Sequence, residues 1–305
     1  MQISNEVYQL YKPLLFSIGY RMLGSVVETE DLVHETFLKA YQMEEDEIEN
    51  VQAYLCKMMT NRCIDNLRSS RYKRENYVGP WNPEPLLLEE AHGLDPSNIL
   101  LQKEGLSFAY LRMMEHLTPD ERAILLLRNV FDFSYAEIAH FLEKKEGNCR
   151  KIFSRAKLKV TKIEGESLNY ETNKSVINRF IQAFEQQHMS ILLELLSENV
   201  TLYSDGGGKV RAAIHPIHSL PNVLAFLYGI AKKTSSDYYF EIKSINGQPA
   251  MLNYMNSQLH SVISFYIKND KIYKFYITMN PDKLRLQSVD DFFFPTDELN
   301  SNKFF

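Results

Sequence analysis

The chain has 305 residues, enough for two or three domains, and its 45% apolar content is ordinary for a globular protein. A formal net charge of −5 argues against a protein that coats nucleic acid non-specifically. No apolar run approaches the ~20 residues that span a bilayer, so no membrane role is expected, and Met1–Glu6 lacks the basic and apolar regions of a secretory signal. Cys56, Cys63 and Cys149 are odd in number and show no C-x-x-C spacing, which fits a reducing, cytoplasmic compartment.

Residues 6–74 read as helical throughout. Leu32, Val33, Thr36, Phe37, Ala40 and Tyr41 recur at helical spacing, with Thr29 as a candidate cap and Glu30 and Asp31 in the first turn. An acidic loop, Glu44–Asn50, precedes a long helix that buries Val51, Tyr54, Leu55, Met58, Ile64 and Leu67 and shows Lys57, Asn61, Asp65 and Arg68 on the other face. Its basic segment holds Lys57, Arg62, Arg68, Arg71, Lys73 and Arg74, opposed by Asp65. Residues 76–105 cannot continue the helix: Pro80, Pro83 and Pro85 remove donors and fix φ, so this segment is an ordered linker around the sole tryptophan, Trp81.

Helices resume at 106. Thr118-Pro119-Asp120-Glu121 combines a cap, a proline suited to the first turn and a capping box. Ser134–Lys157 then reads as a short helix, a tight turn and a cationic helix, the layout of a DNA-reading helix-turn-helix. Lys144, Lys145, Arg150, Lys151, Arg155, Lys157, Lys159 and Lys162 face only Glu146, so this is a second basic segment on an acidic background. Cys149, Ile152, Phe153, Ala156 and Val160 turn inward, leaving Asn148, Lys151 and Arg155 outward, with Lys144 and Arg150 beside them, placed for base edges and phosphates. Ala139 is small where the helices must cross, and Glu143 stands where the turn commonly has glycine.

From residue 174 an α+β domain with an antiparallel sheet is expected to run to 286. It comprises helices at 174–188 and 190–197, a strand from Thr201 into the Asp205-Gly206-Gly207-Gly208-Lys209 turn, a helix at 220–233, and strands Tyr238–Ile245, Ala250–Asn256, Gln258–Lys268 and Lys271–Met279. Asn269-Asp270 reads as a hairpin turn. The three glycines predict a flexible, solvated setting for Asp205. The tail 287–305 is acidic, then aromatic.

The segments together resemble a known family. Glu30–Tyr41 resembles the helix with which bacterial sigma factors grip the β′ clamp of RNA polymerase. Ala53–Arg68 resembles the promoter −10 helix, and Leu117–Lys159 resembles the −35 reader. The first half of the chain is similar to the extracytoplasmic-function (ECF) sigma factors. Tyr20–Ser25, Tyr77–Pro85 and Asp205–Lys209 resemble the SigJ type, which carries a fused SnoaL-like cone. Asn82 departs from the apolar residue usual at its position in that linker.

The resemblance implies a division into region 2 (1–75), linker (76–105), region 4 (106–165), SnoaL-like regulatory domain (174–286) and tail (287–305). It implies core RNA polymerase, through its β′ clamp and β flap, and promoter DNA as partners. Asp31, His34, Glu35 and Lys39 would touch polymerase. Asn61, Arg62, Asp65 and Arg68 would line the −10 face, and residues 42–50 would hold a flipped-out base. Lys145, Asn148, Arg150, Lys151 and Arg155 would meet the −35 element. Trp81, Pro83, Glu84 and Pro85 would be regulatory together with Asp205, Gly206, Gly207, Gly208 and Lys209, through docking of that loop on the linker or the helices.

No cofactor, metal or catalytic residue is expected, and the cone leaves room for a small ligand. His215 and His218, three apart on a proline-containing loop, are weak evidence for a metal. Two other readings stay open: a ligand-sensing helix-turn-helix regulator, and an enzyme in which Asp205 acts as a general base between Tyr203 and Tyr254.

Overall fold

The computed structural model describes residues 5–42, 50–88, 106–160, 167–233 and 237–286. The base-holding loop expected at 42–50 falls almost wholly outside them, as do residues 89–105 of the linker and the tail from 287.

Helices α1 (Asn5–Leu23), α2 (Val26–Tyr41) and α3 (Val51–Glu75) form the first unit. Ser25, not the expected Thr29, caps α2. Its side chain accepts from the Glu28 amide, while Thr29 lies inside the helix, fully buried, and its hydroxyl donates to Ser25 O. Gly24, at φ +67, breaks the helix one residue earlier, which moves the start upstream.

The second unit is α4 (Phe108–Met114), α5 (Pro119–Asn129), α6 (Tyr135–Phe141) and α7 (Glu146–Val160). Thr118 and Ser134 both make the full reciprocal capping box. The two helical units share one continuous apolar core, from Val7 and Phe37 through Leu55 and Met59 to Leu126, Phe141 and Ala156. Arg122 of α5 is buried across this junction and donates to Met22 O in α1 and to Met114 O.

The third unit contains α8 (Tyr170–Glu185), α9 (Met189–Leu195) and α10 (Leu220–Ala231), with strands β1 (Leu196–Asp205), β2 (Ile217–His218), β3 (Tyr239–Ile245), β4 (Gln248–Met255), β5 (Gln258–Lys268) and β6 (Lys271–Thr278). The α+β class holds, but the sheet is mixed. In the order β2-β1-β6-β5-β4-β3, β1 and β6 run parallel. Turn signals such as Asn269-Asp270 specify only sequence-adjacent hairpins. The β1–β6 pair joins strands at opposite ends of the domain, and no local turn encodes its direction.

One face of the sheet (Leu202, Phe265, Phe275, Ile277) packs on α8 to α10 through Val176, Phe180, Leu192 and Val223. The other face (Leu252, Val262, Tyr266, Tyr276) packs on Phe108 and Ala109 of α4. A sheet with both faces covered explains why its strands carry continuous apolar runs rather than clean alternation. No helix among the described residues is long and apolar enough to cross a membrane.

Candidate functional site

The cationic helix α7 presents Asn148, Arg150, Lys151 and Arg155 to solvent, with Lys145 exposed just before it, while Cys149, Ile152 and Ala156 are buried beneath them. Asn148, Arg150, Lys151, Ser154 and Arg155 line one shallow cleft along the helix. Arg150 is already engaged: it pairs with Glu146 and lies 4.5 Å over the Tyr135 ring. Glu143 adopts the left-handed conformation (φ +51) that a turn glycine would take freely. The Lys144 amide closes the turn onto Ala139 O at 2.9 Å.

On α3 the expected reading face is partly covered, though Asp65 and Arg68 remain exposed. Asn61 is half-buried and its amide donates to Phe141 O, at the end of α6, at 3.0 Å. Arg68 reaches Asp120 at 3.5 Å, Lys57 reaches Glu143 at 3.6 Å, and Lys144 also meets Asp120 at 3.3 Å. Arg62 pairs with Glu35 of α2. A cleft of about 180 Å³ remains between the two surfaces, lined by Asn61, Asp65, Arg68, Asp120, Glu143 and Lys144. The α3 face singled out for DNA therefore packs against the start of α5 and the turn of the helix-turn-helix, while the outward face of α7 stays in solvent. Asp31, His34, Glu35 and Lys39 share the exposed side of α2.

The linker is clamped between the helices and the C-terminal sheet. Glu84 accepts from the Ser25 hydroxyl at 2.8 Å and from the Val26 amide at 2.6 Å, placing a carboxylate on the N-terminus of α2, where the helix dipole favours it. Burial pushes its carboxyl above the ordinary range, against the pull of these donors. Trp81 lies against Gly24, where a Cβ would sit 2.8 Å from the indole. Arg112 of α4 donates to Trp81 O and stacks over Tyr203 at 4.7 Å.

Asp205 overturns the solvated-turn expectation, for it is completely buried. One carboxylate oxygen accepts from Tyr77 Oη (2.6 Å) and the Gly207 amide (3.1 Å). The other accepts from the Asn82 amide (2.8 Å) and Lys283 Nζ (2.9 Å). The Lys283 ammonium also donates to Asn82 O and sits 4.2 Å over Trp81 and 4.9 Å over Tyr77. Burial, then Asp205, push the Tyr77 hydroxyl far above its ordinary value.

The glycines serve close approach rather than flexibility. Gly207, at φ +58, leaves no room for a Cβ beside the Asn280 amide, and Gly208 lies over Val78 of the linker. Lys209 does not reach the linker and pairs with Asp282 of its own domain. Asn82, the unusual linker residue, is fully buried and donates from its side chain to Ile277 O at 3.1 Å. An apolar side chain there could not make that bond.

The general-base reading of Asp205 fails on this geometry, because both oxygens are occupied and none of the residue is exposed. Tyr203 stacks on Tyr276 and Tyr254 on Tyr239. His218 shares a hydrogen bond with Thr201. No group of three or more potential metal ligands occurs among the described residues. Lys283, Arg112 and Asn246 escape the sequence reading, and Tyr77 enters it only as part of its linker segment; an Asn-Gly turn signal at Asn246 was available, but only the long-range contacts show what these side chains hold.

The family profile for sigma-70 region 2 matches residues 7–72, and that for sigma-70 region 4 matches residues 107–160. The ECF RNA polymerase sigma factor SigJ of Mycobacterium tuberculosis is 26% identical over 297 residues, which is 93% of each chain. A probable ECF sigma factor of that organism, SigI, is 24% identical, over 92% of this chain and 94% of its own. The crystal structure of M. tuberculosis SigJ superposes with a TM-score of 0.74 at 23% identity, over 92% of this chain and 98% of that one, which establishes a shared fold. The chain belongs to the ECF sigma factors of RNA polymerase, with sigma-70 regions 2 and 4 followed by a C-terminal α+β domain of the SigJ fold.

Proposed function

We propose that this sigma factor is closed in its free form and that its C-terminal domain braces it closed through the linker. The observation that carries this is the occupation of Asn61 and Arg68, on the −10 face, by Phe141 O and Asp120 of region 4. Promoter DNA and the helix-turn-helix turn cannot hold those side chains together, so productive binding separates the two regions. Polymerase supplies the force, taking α2 through Asp31, His34, Glu35 and Lys39, after which Asn61, Arg62, Asp65 and Arg68 meet the −10 element. Lys145, Asn148, Arg150, Lys151 and Arg155 then meet the −35 element. The chain acts in the cytoplasm with polymerase, and its C-terminal domain works by contact rather than turnover.

An acidic chain suits this account, because a subunit delivered to DNA by polymerase needs only local cationic faces. The experiment is promoter-dependent run-off transcription by core polymerase with the wild-type chain and with full-length Asp205→Ala. The brace reading expects transcript yield to change while the protein stays folded. Unchanged yield at equal folded fraction would remove the regulatory role and leave the sigma assignment standing.

A further inference from the structure

Hairpin tips are ordinarily solvated, yet Asn246, at the tip between β3 and β4, is only 2% exposed. Ile245 and Gln248 pair across it, so Asn246 (φ +56) and Gly247 (φ +72) form a two-residue turn in the left-handed region, the geometry favoured by Asn-Gly. The Asn246 side chain spends its capacity on three segments distant in sequence. Its Nδ2 donates to Tyr20 Oη of α1 at 2.7 Å and to Leu106 O, just before α4, at 3.0 Å. Its Oδ1 accepts from the Leu86 amide of the linker at 3.0 Å.

The backbone reinforces the grip. Asn246 N donates to Leu86 O at 2.8 Å and Leu88 N to Ser244 O at 3.0 Å, so Leu87 bridges Ile245 as a short added strand on the free edge of β3. Tyr20 Oη passes the connection on by donating to Glu84 O, and the Glu84 side chain holds the start of α2. This docking point uses different residues from the Asp205 cluster, which holds Tyr77 and Asn82.

We propose that the β3–β4 tip is a second docking point for the linker, with Asn246 as the positioning residue that fixes the start of region 4 against α1 of region 2. It rests on the reading of the C-terminal domain as a brace, and it adds that the linker is gripped at two separately breakable points. Asp205 governs the end leaving region 2. Asn246 governs the end nearing region 4, and with it the separation of the two promoter readers.

The test uses the full chain and amide hydrogen exchange on wild type, Asn246→Gly and Asp205→Asn. Asn246→Gly keeps the left-handed backbone and deletes only the amide. Exchange at Leu86 and Leu88 should accelerate about ten-fold or more, the scale of losing one or two buried hydrogen bonds, with Asn82 protected as in wild type. Asp205→Asn should do the reverse. Promoters differing by one base pair in spacer length, transcribed with core polymerase, should show a preferred spacer in wild type that Asn246→Gly shifts or broadens several-fold.

Unchanged exchange at Leu86, or equal loosening of both linker ends in both variants, overturns the two-point grip. Loosened exchange with an unaltered spacer preference overturns the role in reader separation. A wild-type chain that directs no transcript condemns the sigma reading itself, and the exchange pattern still decides the grip. Tyr20→Phe, which removes one Asn246 partner without touching the hairpin, replaces Asn246→Gly if protection across β5 and β6 shows that variant to be unfolded, and should give a smaller change of the same sign.

Discussion

Asp205→Ala should destabilise the chain by about 3–5 kcal/mol, because it breaks a buried ion pair from one side. Lys283, with 7% of its side chain exposed, would lose its paired carboxylate while still lying against Asn82 O and the Trp81 and Tyr77 ring faces. The buried Asn82 amide would lose its acceptor, itself worth about 1–3 kcal/mol. Lys283→Met leaves Asp205 with its three other donors, from Tyr77, Asn82 and Gly207, so its cost should be smaller, about 2 kcal/mol.

The double variant Asp205→Ala/Lys283→Met removes both charges and should cost less than the sum of the singles by roughly 1–3 kcal/mol. Urea unfolding followed by fluorescence suits the measurement, because the only tryptophan, Trp81, lies against the Lys283 ammonium and reports this cluster directly. If the single costs add to the double within about 0.5 kcal/mol, or Asp205→Ala costs under about 1 kcal/mol, the pair is not the brace described.

Glu143→Gly should relieve left-handed strain of about 1 kcal/mol and remove the weak Lys57 pair, leaving melting nearly unchanged or slightly raised. The same variant should bind a promoter fragment more tightly as free protein, and weaker binding would contradict the closed form. Ser134→Ala should cost about 1 kcal/mol in thermal unfolding by removing the cap of α6. The Ser134 hydroxyl and amide hold the Glu137 carboxyl below its ordinary value. That stability is therefore present above the unfolded carboxylate pKa and is lost as pH falls through the folded one, and Glu137→Gln should abolish this acid-side dependence in pH-dependent melting. Lys151→Ala and Arg155→Ala should each weaken holoenzyme binding to promoter DNA and lower the slope of log affinity against log salt by about 1, read by titration at several salt concentrations.

What was legible in the sequence was local. The capping box at Thr118, the prolines at 80–85 and the outward cations of α7 follow from neighbours a few residues apart, and each appears in the structure as read. Thr29 misled because a Thr followed by acids resembles a cap, while Gly24-Ser25 had already ended one helix and started the next. Asp205 misled because three glycines suggest mobility. Here they let the backbone press on Asn280 and Val78 while the carboxylate turns inward. The occupation of Asn61 by Phe141 O, 80 residues away, and the grip of Asn246 on Tyr20 join elements by tertiary packing that no periodicity encodes.

Run-off transcription by core RNA polymerase on a library of promoter-bearing fragments, with and without the full chain, tests the central claim most directly. The account predicts discrete start sites that appear only with the chain and are lost when Asn61→Ala and Arg155→Ala are combined. Identical transcripts with and without the chain would contradict it.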